Sequence, residues 1–127
     1  MKVAGCKVVV VEDDPVISWH LDRQLAAMSC QTVTHFESKR EVLEHLHTER
    51  ADLMITNLRL FDGWADHDYL QLLDIEVNKL LILTGLRDEN LQPELDTSTN
   101  PTFLYKPFTS LQLKNCIENL CDLEKEV

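Results

Sequence analysis

The sequence predicts a doubly wound α/β sandwich, in which helices cover both faces of a five-stranded parallel sheet. Two observations lead to this prediction. Short apolar runs alternate with amphipathic segments along the chain, a pattern typical of βα units around a parallel sheet. The length of 127 residues corresponds to one ordinary domain, and no repeat or linker-like segment divides it. We therefore expect residues 1–127 to form a single domain.

The predicted strands are short apolar runs that span residues 7–12, 31–35, 53–57, 80–84 and 102–105. The first helix has a clear start signal, because Asp14 is a favoured N-cap residue and Pro15 fits the first helical position. Apolar side chains then recur at helical spacing and predict the buried face of this helix. They are Ile17, Leu21, Leu25 and Met28.

Two further helices are predicted from capping boxes, in which a hydroxyl residue precedes an acid or amide by three positions. Ser38 and Glu41 form one box, and Thr109 and Gln112 form the other, which starts a last helix that runs to about residue 123. A short third helix is predicted at residues 66–73. A fourth, at 89–95, is expected to be short or frayed because Pro93 interrupts it.

Charge and composition exclude several classes of function. Twelve basic residues oppose 22 acidic ones, for a net charge of −10, and such a field repels nucleic acid and anionic membranes. The apolar runs are far shorter than the ~20 residues that a membrane helix needs. The four cysteines lack the spacing of zinc or redox motifs. We therefore expect reduced thiols, a cytoplasmic location, and neither nucleic acid nor membrane as a partner.

Polar side chains stand at the predicted carboxyl ends of four strands. Glu12 and Asp13 end the first strand, Asn57 the third and Thr84 the fourth, while Lys106 follows the fifth. In a doubly wound sheet these ends meet at the functional crevice. Two neighbouring carboxylates favour a hard cation such as Mg²⁺, and a lysine suits a phosphoryl group. The five histidines show no metal-ligand spacing, and none is predicted to act as a ligand or base.

Three motifs together make the chain similar to a response-regulator receiver domain of two-component signalling. They are VVVVEDDP around the acid pair, LILTGL around Thr84, and YKPF around Lys106. The resemblance covers essentially the whole chain and implies a flavodoxin-like (βα)5 fold. It also implies protein partners, namely a histidine kinase, a phosphotransfer protein or an output protein.

The resemblance assigns a role to each matching position. Glu12, Asp13 and the strand-three residue would bind Mg²⁺, with the backbone carbonyl of Arg59 as a further ligand. Thr84 and Lys106 would contact the phosphoryl group, Phe103 would be the aromatic that moves with the switch, and the Lys106–Pro107 peptide bond is expected to be cis.

The chain departs from the family at the phosphoacceptor, where Asn57 replaces an aspartate, and Phe61 stands where a proline is usual. An amide oxygen is a poor nucleophile and would not give the usual acyl phosphate. We therefore expect Asn57 not to accept phosphate. One carboxylate fewer should make Mg²⁺ binding weak, with the amide oxygen of Asn57 as a weak ligand.

The resulting hypothesis is an atypical receiver, not an enzyme, that acts through protein contacts. Phe103, Tyr105 and the outer side of the last helix are the expected partner or self-association surface, within the face that the fourth helix, fifth strand and last helix form. Three alternatives stay open. The first is an ordinary receiver with an engineered Asp-to-Asn change, and the second is a Mg²⁺-dependent phosphatase or phosphotransferase with Asp13 as nucleophile. The third is a flavin-binding electron carrier, although the acids after strand one would repel the flavin phosphate.

Overall fold

A computed structural model of the chain describes residues 5–30, 32–46, 48–60, 63–64, 77–85 and 102–122. The strands in chain order are β1 (Lys7–Val11), β2 (Thr32–Phe36), β3 (Ala51–Asn57), β4 (Arg59–Leu60), β5 (Gly63–Trp64), β6 (Val77–Thr84) and β7 (Thr102–Tyr105). The helices are α1 (Pro15–Ala27), α2 (Lys39–Leu46) and α3 (Ser110–Asp122). The third and fourth predicted helices, at residues 66–73 and 89–95, lie outside the described residues, as do Phe61 and residue 123.

Five strands form one parallel sheet in the order β2-β1-β3-β6-β7, which confirms the predicted sheet. The chain winds outward in both directions from β1 and β3, so the carboxyl ends of these two strands lie side by side. β4 and β5 form a separate two-residue antiparallel pair.

The strand bounds differ from prediction where polar residues interrupt an apolar run. β3 and β6 begin earlier than expected, at Ala51 and Val77, which face each other in the register. Asp52 interrupts the apolar run, so the sequence does not indicate the start of β3. In the structure its carboxylate accepts a hydrogen bond from the Lys7 backbone N–H at 2.9 Å. β1 ends at Val11, one residue before the predicted end, and β2 begins and ends one residue later than predicted.

Apolar side chains pack on both faces of the sheet, so the domain has three layers. The alternation along β1 sends Val9 and Val11 to a core shared with α2, and Val8 and Val10 to a core shared with α1 and α3. Two-sided burial explains why the strands are almost continuously apolar. The doubly wound prediction is therefore confirmed.

The predicted helix starts are confirmed by hydrogen bonds. The Asp14 carboxylate accepts from the Val16 backbone N–H at 2.9 Å, and this cap fixes where α1 leaves the crevice. At α3, the Gln112 backbone N–H donates to the Thr109 hydroxyl at 3.1 Å, and the Gln112 side chain accepts from the Thr109 N–H at 2.8 Å. The Glu41 backbone N–H donates to the Ser38 hydroxyl at 3.2 Å in the same way.

Candidate functional site

The carboxyl ends of β1, β3 and β7 bring the predicted polar residues together. Glu12 and Asp13 follow β1, Asn57 ends β3, and Lys106 follows β7. These four side chains form one hydrogen-bonded network, which we call the rim network. Strands that are distant in sequence thus build a single polar site.

Asn57 lies at the centre of the rim network and is 4% exposed. Its amide nitrogen donates to Glu12 Oε1 at 2.7 Å and to Asp13 Oδ1 at 3.2 Å. Its amide oxygen accepts from Lys106 Nζ at 2.8 Å. The opposite orientation would set the amide oxygen against two carboxylates and the NH₂ group against an ammonium, so the neighbouring charges dictate how the amide points.

Glu12 is a buried carboxylate whose two oxygens are both occupied. Oε1 accepts from Asn57 and also from the Asp14 backbone N–H at 3.0 Å. Oε2 accepts from Lys106 Nζ at 3.2 Å, and the exposed fractions of the Lys106 and Glu12 side chains are 24% and 0%. A buried charge needs such partners, because desolvation without them is unfavourable. The rim network therefore gives both carboxylate oxygens of Glu12 a partner from within the chain.

In the rim network the Asn57 amide oxygen does not face the two acids. Weak ligation by Asn57 requires its amide oxygen to face the acids, but the nitrogen faces them and Lys106 holds the oxygen. The expected ligand role of Asn57 stays a prediction, and it requires the amide to turn, because in this arrangement the NH₂ group is the neighbour of the two carboxylates. Within the described part of the chain, no cluster of three or more His, Cys, Asp or Glu side chains is arranged to hold a metal.

The remaining predicted site residues lie next to the rim network. Thr84 is 5% exposed, and its backbone carbonyl accepts from the Lys106 N–H at 2.8 Å. Phe103 is partly buried against the core on the α2 side, and Tyr105 faces Thr84 in the β6–β7 register. Arg59 is exposed in β4, and the role of its carbonyl stays a prediction.

The Lys106–Pro107 peptide bond is cis, which confirms the expectation drawn from the family resemblance. The turn that it makes leads from the end of β7 towards α3. The bond therefore lies directly beside the lysine of the rim network.

A second polar cluster beside the rim was not predicted. His35 Nε2 lies 3.1 Å from Asp22 Oδ1, and Nδ1 lies 3.0 Å from Ser18 Oγ. Because the Asp22 carboxylate can only accept, Nε2 carries a proton. The cluster ties edge strand β2 to α1. The i,i+4 spacing of Ser18 and Asp22, which places them on one helix face, was the available sequence signal.

A cavity of about 500 Å³ opens beside this cluster. Ser18, His35 and two aromatic rings line it together with five carboxylates. The carboxylates are those of Glu12, Asp13, Asp22, Glu37 and Glu41. A groove of about 450 Å³ lies next to it and is lined mainly by apolar side chains, among them Val16, Pro107 and Phe108. Trp19 lines both.

The protein is a doubly wound α/β domain whose parallel strands carry acidic side chains and a lysine at their carboxyl ends. A sequence model of the response regulator receiver domain matches residues 8–118. The chain therefore belongs to the response regulator receiver domain family, and the family resemblance drawn from its motifs is confirmed.

One curated relative is similar over part of the chain. The DNA-binding transcriptional regulator NtrC of Klebsiella pneumoniae is 42% identical over 60 residues, which cover 44% of this chain and 12% of that regulator. The match thus spans a small part of a longer protein.

Solved structures show the same fold at low identity. The signal receiver domain of a putative LuxO repressor protein from Vibrio parahaemolyticus has a TM-score of 0.81 at 22% identity, over 95% of this chain and 93% of that one. The receiver domain of a Pseudomonas aeruginosa PAO1 sensor histidine kinase, solved with magnesium in its active-site cleft, gives 0.75 at 18% identity, over 92% and 98%. The response regulator PhyR from Brucella abortus gives 0.76 at 19% identity, over 98% of this chain but 51% of that one.

Among the described helices, none is both long and apolar enough to cross a membrane.

Proposed function

We propose that this chain is an atypical receiver module of two-component signalling, one that acts through protein contacts, is not phosphorylated at Asn57 and is not an enzyme. The orientation of the Asn57 amide carries this proposal. Its nitrogen donates to Glu12 and Asp13 while its oxygen accepts from Lys106. The residue that stands at the family's phosphoacceptor position thus already forms hydrogen bonds with three charged side chains.

Phosphoryl transfer needs a nucleophilic oxygen that is free to approach phosphorus. The amide oxygen of Asn57 carries no full negative charge and already accepts a hydrogen bond from the Lys106 ammonium. A phosphoryl group would also have to displace that bond and approach two carboxylates. The weak nucleophilicity of the amide and its hydrogen bond to Lys106 therefore both oppose phosphoryl transfer to Asn57.

The proposal also covers metal binding, partners and location. We expect Mg²⁺ to bind weakly, with a dissociation constant of ~1 mM or higher, because the acids already have donors. Micromolar affinity would contradict this expectation. Partners are proteins of a signalling pathway, and the module acts in the cytoplasm. Phe103, Tyr105 and the outer side of α3 stay the proposed output or homodimer surface.

The test is intact-protein mass spectrometry after incubation with acetyl phosphate and Mg²⁺, with peptide mapping of any adduct. The unmodified chain should gain no phosphoryl group, whereas Asn57→Asp should gain one that hydroxylamine removes. The double variant Asn57→Asp with Asp13→Asn is the control, and it should gain less. A phosphoryl group mapped to residue 57 of the unmodified chain would overturn the proposal.

A second experiment addresses the enzymatic alternative. A phosphatase or phosphotransferase would need Asp13 as nucleophile, but this carboxylate accepts a hydrogen bond from Asn57. We expect no turnover of p-nitrophenyl phosphate above the level of the Asp13→Asn variant. Turnover that depends on Asp13 would favour the enzyme.

A further inference from the structure

Ser18, His35 and Asp22 form a hydrogen-bonded chain outside the rim network, and we call these three side chains the serine relay. Ser18 Oγ lies 3.0 Å from His35 Nδ1, and His35 Nε2 lies 3.1 Å from Asp22 Oδ1. Ser18 and Asp22 lie about one helical turn apart on α1. His35 lies opposite Val10 in the β1–β2 register, and Val10 packs in the core shared with α1. The packing of α1 on the sheet therefore aligns the relay.

Hydrogen-bonding capacity determines the direction of each bond in the serine relay. The Asp22 carboxylate can only accept, so His35 Nε2 carries a proton and donates it. In the neutral ring Nδ1 is then an acceptor, and the Ser18 hydroxyl donates to it. A hydroxyl that donates to an imidazole, which in turn donates to a carboxylate, is an arrangement that activates serine as a nucleophile.

The serine relay is open to molecules from solution. All three of its side chains line the cavity of about 500 Å³, and the side chains of His35 and Asp22 are 34% and 56% exposed. The carboxylates of Asp13 and Glu37 line the same cavity. A cavity with this lining favours neutral or cationic molecules over anionic ones.

From this geometry we infer that Ser18 is a nucleophile that accepts an acyl group from an activated ester or thioester without negative charge. Ser18 Oγ bonds to the acyl carbon, its proton passes to His35 Nδ1, and the bond from that carbon to the leaving alcohol or thiol breaks. The proton leaves with the alcohol or thiol, so Ser18 ends as an ester and His35 as a neutral ring. Asp22 is a positioning residue, because its bond to Nε2 keeps the Nδ1 lone pair towards Ser18.

The backbone around Ser18 favours slow acylation and a persistent ester. Acyl transfer is fast where hydrogen-bond donors are aimed at the developing oxyanion. Two N–H groups at the start of α1 are already in use, since Ser18 N–H donates to the Asp14 carbonyl and Val16 N–H to the Asp14 carboxylate, both at 2.9 Å. Only an activated acyl donor should therefore react, and Ser18 is modified once without turnover. The inference goes beyond the proposed function and is compatible with a module that is not an enzyme.

The test is reaction of the intact chain with p-nitrophenyl acetate, an uncharged activated ester, followed by p-nitrophenolate release and peptide mapping. Trypsin should release Ser18 within the peptide Val8–Arg23, which has no lysine to compete for the acetyl group. We expect one acetyl group on Ser18. The anionic p-nitrophenyl hemisuccinate should acylate Ser18 at least about fivefold more slowly, and added salt should narrow this difference.

Ser110 is a matched control within the same molecule. Its hydroxyl lies 3.3 Å from His20 Nε2, but no carboxylate of the described residues bonds to His20. Ser18 should therefore be acetylated at least about tenfold faster than Ser110. Ser18→Ala should abolish the acetyl group in its peptide, and His35→Gln should slow acetylation at least about tenfold, because a positioned general base typically contributes about a hundredfold or more.

The positioning role of Asp22 has a separate readout, the ¹⁵N spectrum of the His35 ring, which distinguishes its two tautomers. The Nε2–H form should dominate in the parent. In Asp22→Asn the Nδ1–H form should gain population and Ser18 acetylation should slow, and Asp22→Glu should partly restore both. Slower acetylation with an unchanged tautomer would contradict this role.

No acetyl group on Ser18, equal rates at Ser18 and Ser110, or an unchanged rate in His35→Gln would each overturn the inference. The comparison of the two serines needs no variant, so it decides the question even where circular dichroism shows that a substitution unfolds the chain. The readout is an acetyl group on Ser18, whereas the proposed function concerns a phosphoryl group on residue 57, so the failure of one is distinguishable from the failure of the other.

Discussion

Replacement of Asn57 by aspartate should destabilise this domain, although aspartate is the usual residue of the family at that position. The new carboxylate would lie 2.7 Å from Glu12 Oε1 and 3.2 Å from Asp13 Oδ1, at the positions where the amide now donates. Two hydrogen bonds to charged groups would be lost and replaced by repulsion. The one gain is a stronger contact with Lys106.

The magnitude follows from these contacts. A hydrogen bond to a charged group contributes about 1.5–3 kcal/mol, and two are lost. Like charges about 3 Å apart repel by about 5 kcal/mol at an effective dielectric constant of about 20, but rotation of the exposed Asp13 side chain relieves most of this. The new ion pair with Lys106 offsets about 1 kcal/mol. We expect a net loss of about 2–5 kcal/mol, or about 8–20 °C in the melting temperature.

The assay is thermal and urea unfolding of both chains at neutral pH, with and without Mg²⁺. Asn57→Asp should regain about 2.7 kcal/mol at about 10 mM Mg²⁺ if its dissociation constant is about 0.1 mM, whereas the unmodified chain, which binds at ~1 mM or more weakly, should gain at most about 1.4 kcal/mol. Asn115→Asp, the same chemical change at an exposed position of α3, should alter stability by less than about 0.5 kcal/mol. The reasoning is refuted if Asn57→Asp is as stable as the parent without Mg²⁺.

Three further outcomes are expected. Lys106→Met should lower the free energy of unfolding by about 2–3 kcal/mol, because it leaves the Glu12 carboxylate buried without its ion pair; equal loss from the exposed Lys114→Met would contradict this. Burial raises the pKa of Cys30 to about 11 from 9.0, so iodoacetamide should modify it about a hundredfold more slowly at about pH 8 than in urea. A folded pKa above the unfolded one also means that this contribution to stability is complete below about pH 9 and disappears as the pH rises towards 11, which urea titrations at several pH values measure. Thr109→Ala should cost about 1 kcal/mol through loss of the α3 cap, and an unchanged urea midpoint would contradict it.

The sequence was sufficient to predict which residues meet at the rim, because parallel strands must end at one edge of a sheet. Apolar runs located the five strands, while Asp14 with Pro15 and the capping boxes that begin at Ser38 and Thr109 located the three described helices. The bounds of β3 and β6 were missed because Asp52 and Asn78 resemble loop residues until the partner strand is known.

Two features of the site required coordinates. An amide side chain looks the same in the sequence whichever way it points, and only the positions of Glu12, Asp13 and Lys106 determine that the Asn57 nitrogen faces the acids. His35 lies on a strand and Asp22 on a helix, so their contact depends on how α1 packs beside β2. The prediction that no histidine acts as a metal ligand or base did not include this structural contact.

The central claim is that the Asn57 amide pairs the charged side chains of the rim and does not accept a phosphoryl group. The most direct measurement is a heteronuclear NMR spectrum of the ¹⁵N-labelled chain, in which the Asn57 side-chain NH₂ signals are assigned by their absence from Asn57→Asp. The account predicts that these signals, and the backbone amides of Asp13 and Lys106, move with Mg²⁺ only at concentrations of about 1 mM and above, and do not move with beryllofluoride. A saturable shift of the Asn57 NH₂ signals at submillimolar Mg²⁺, or any stable beryllofluoride complex at the rim, would contradict it.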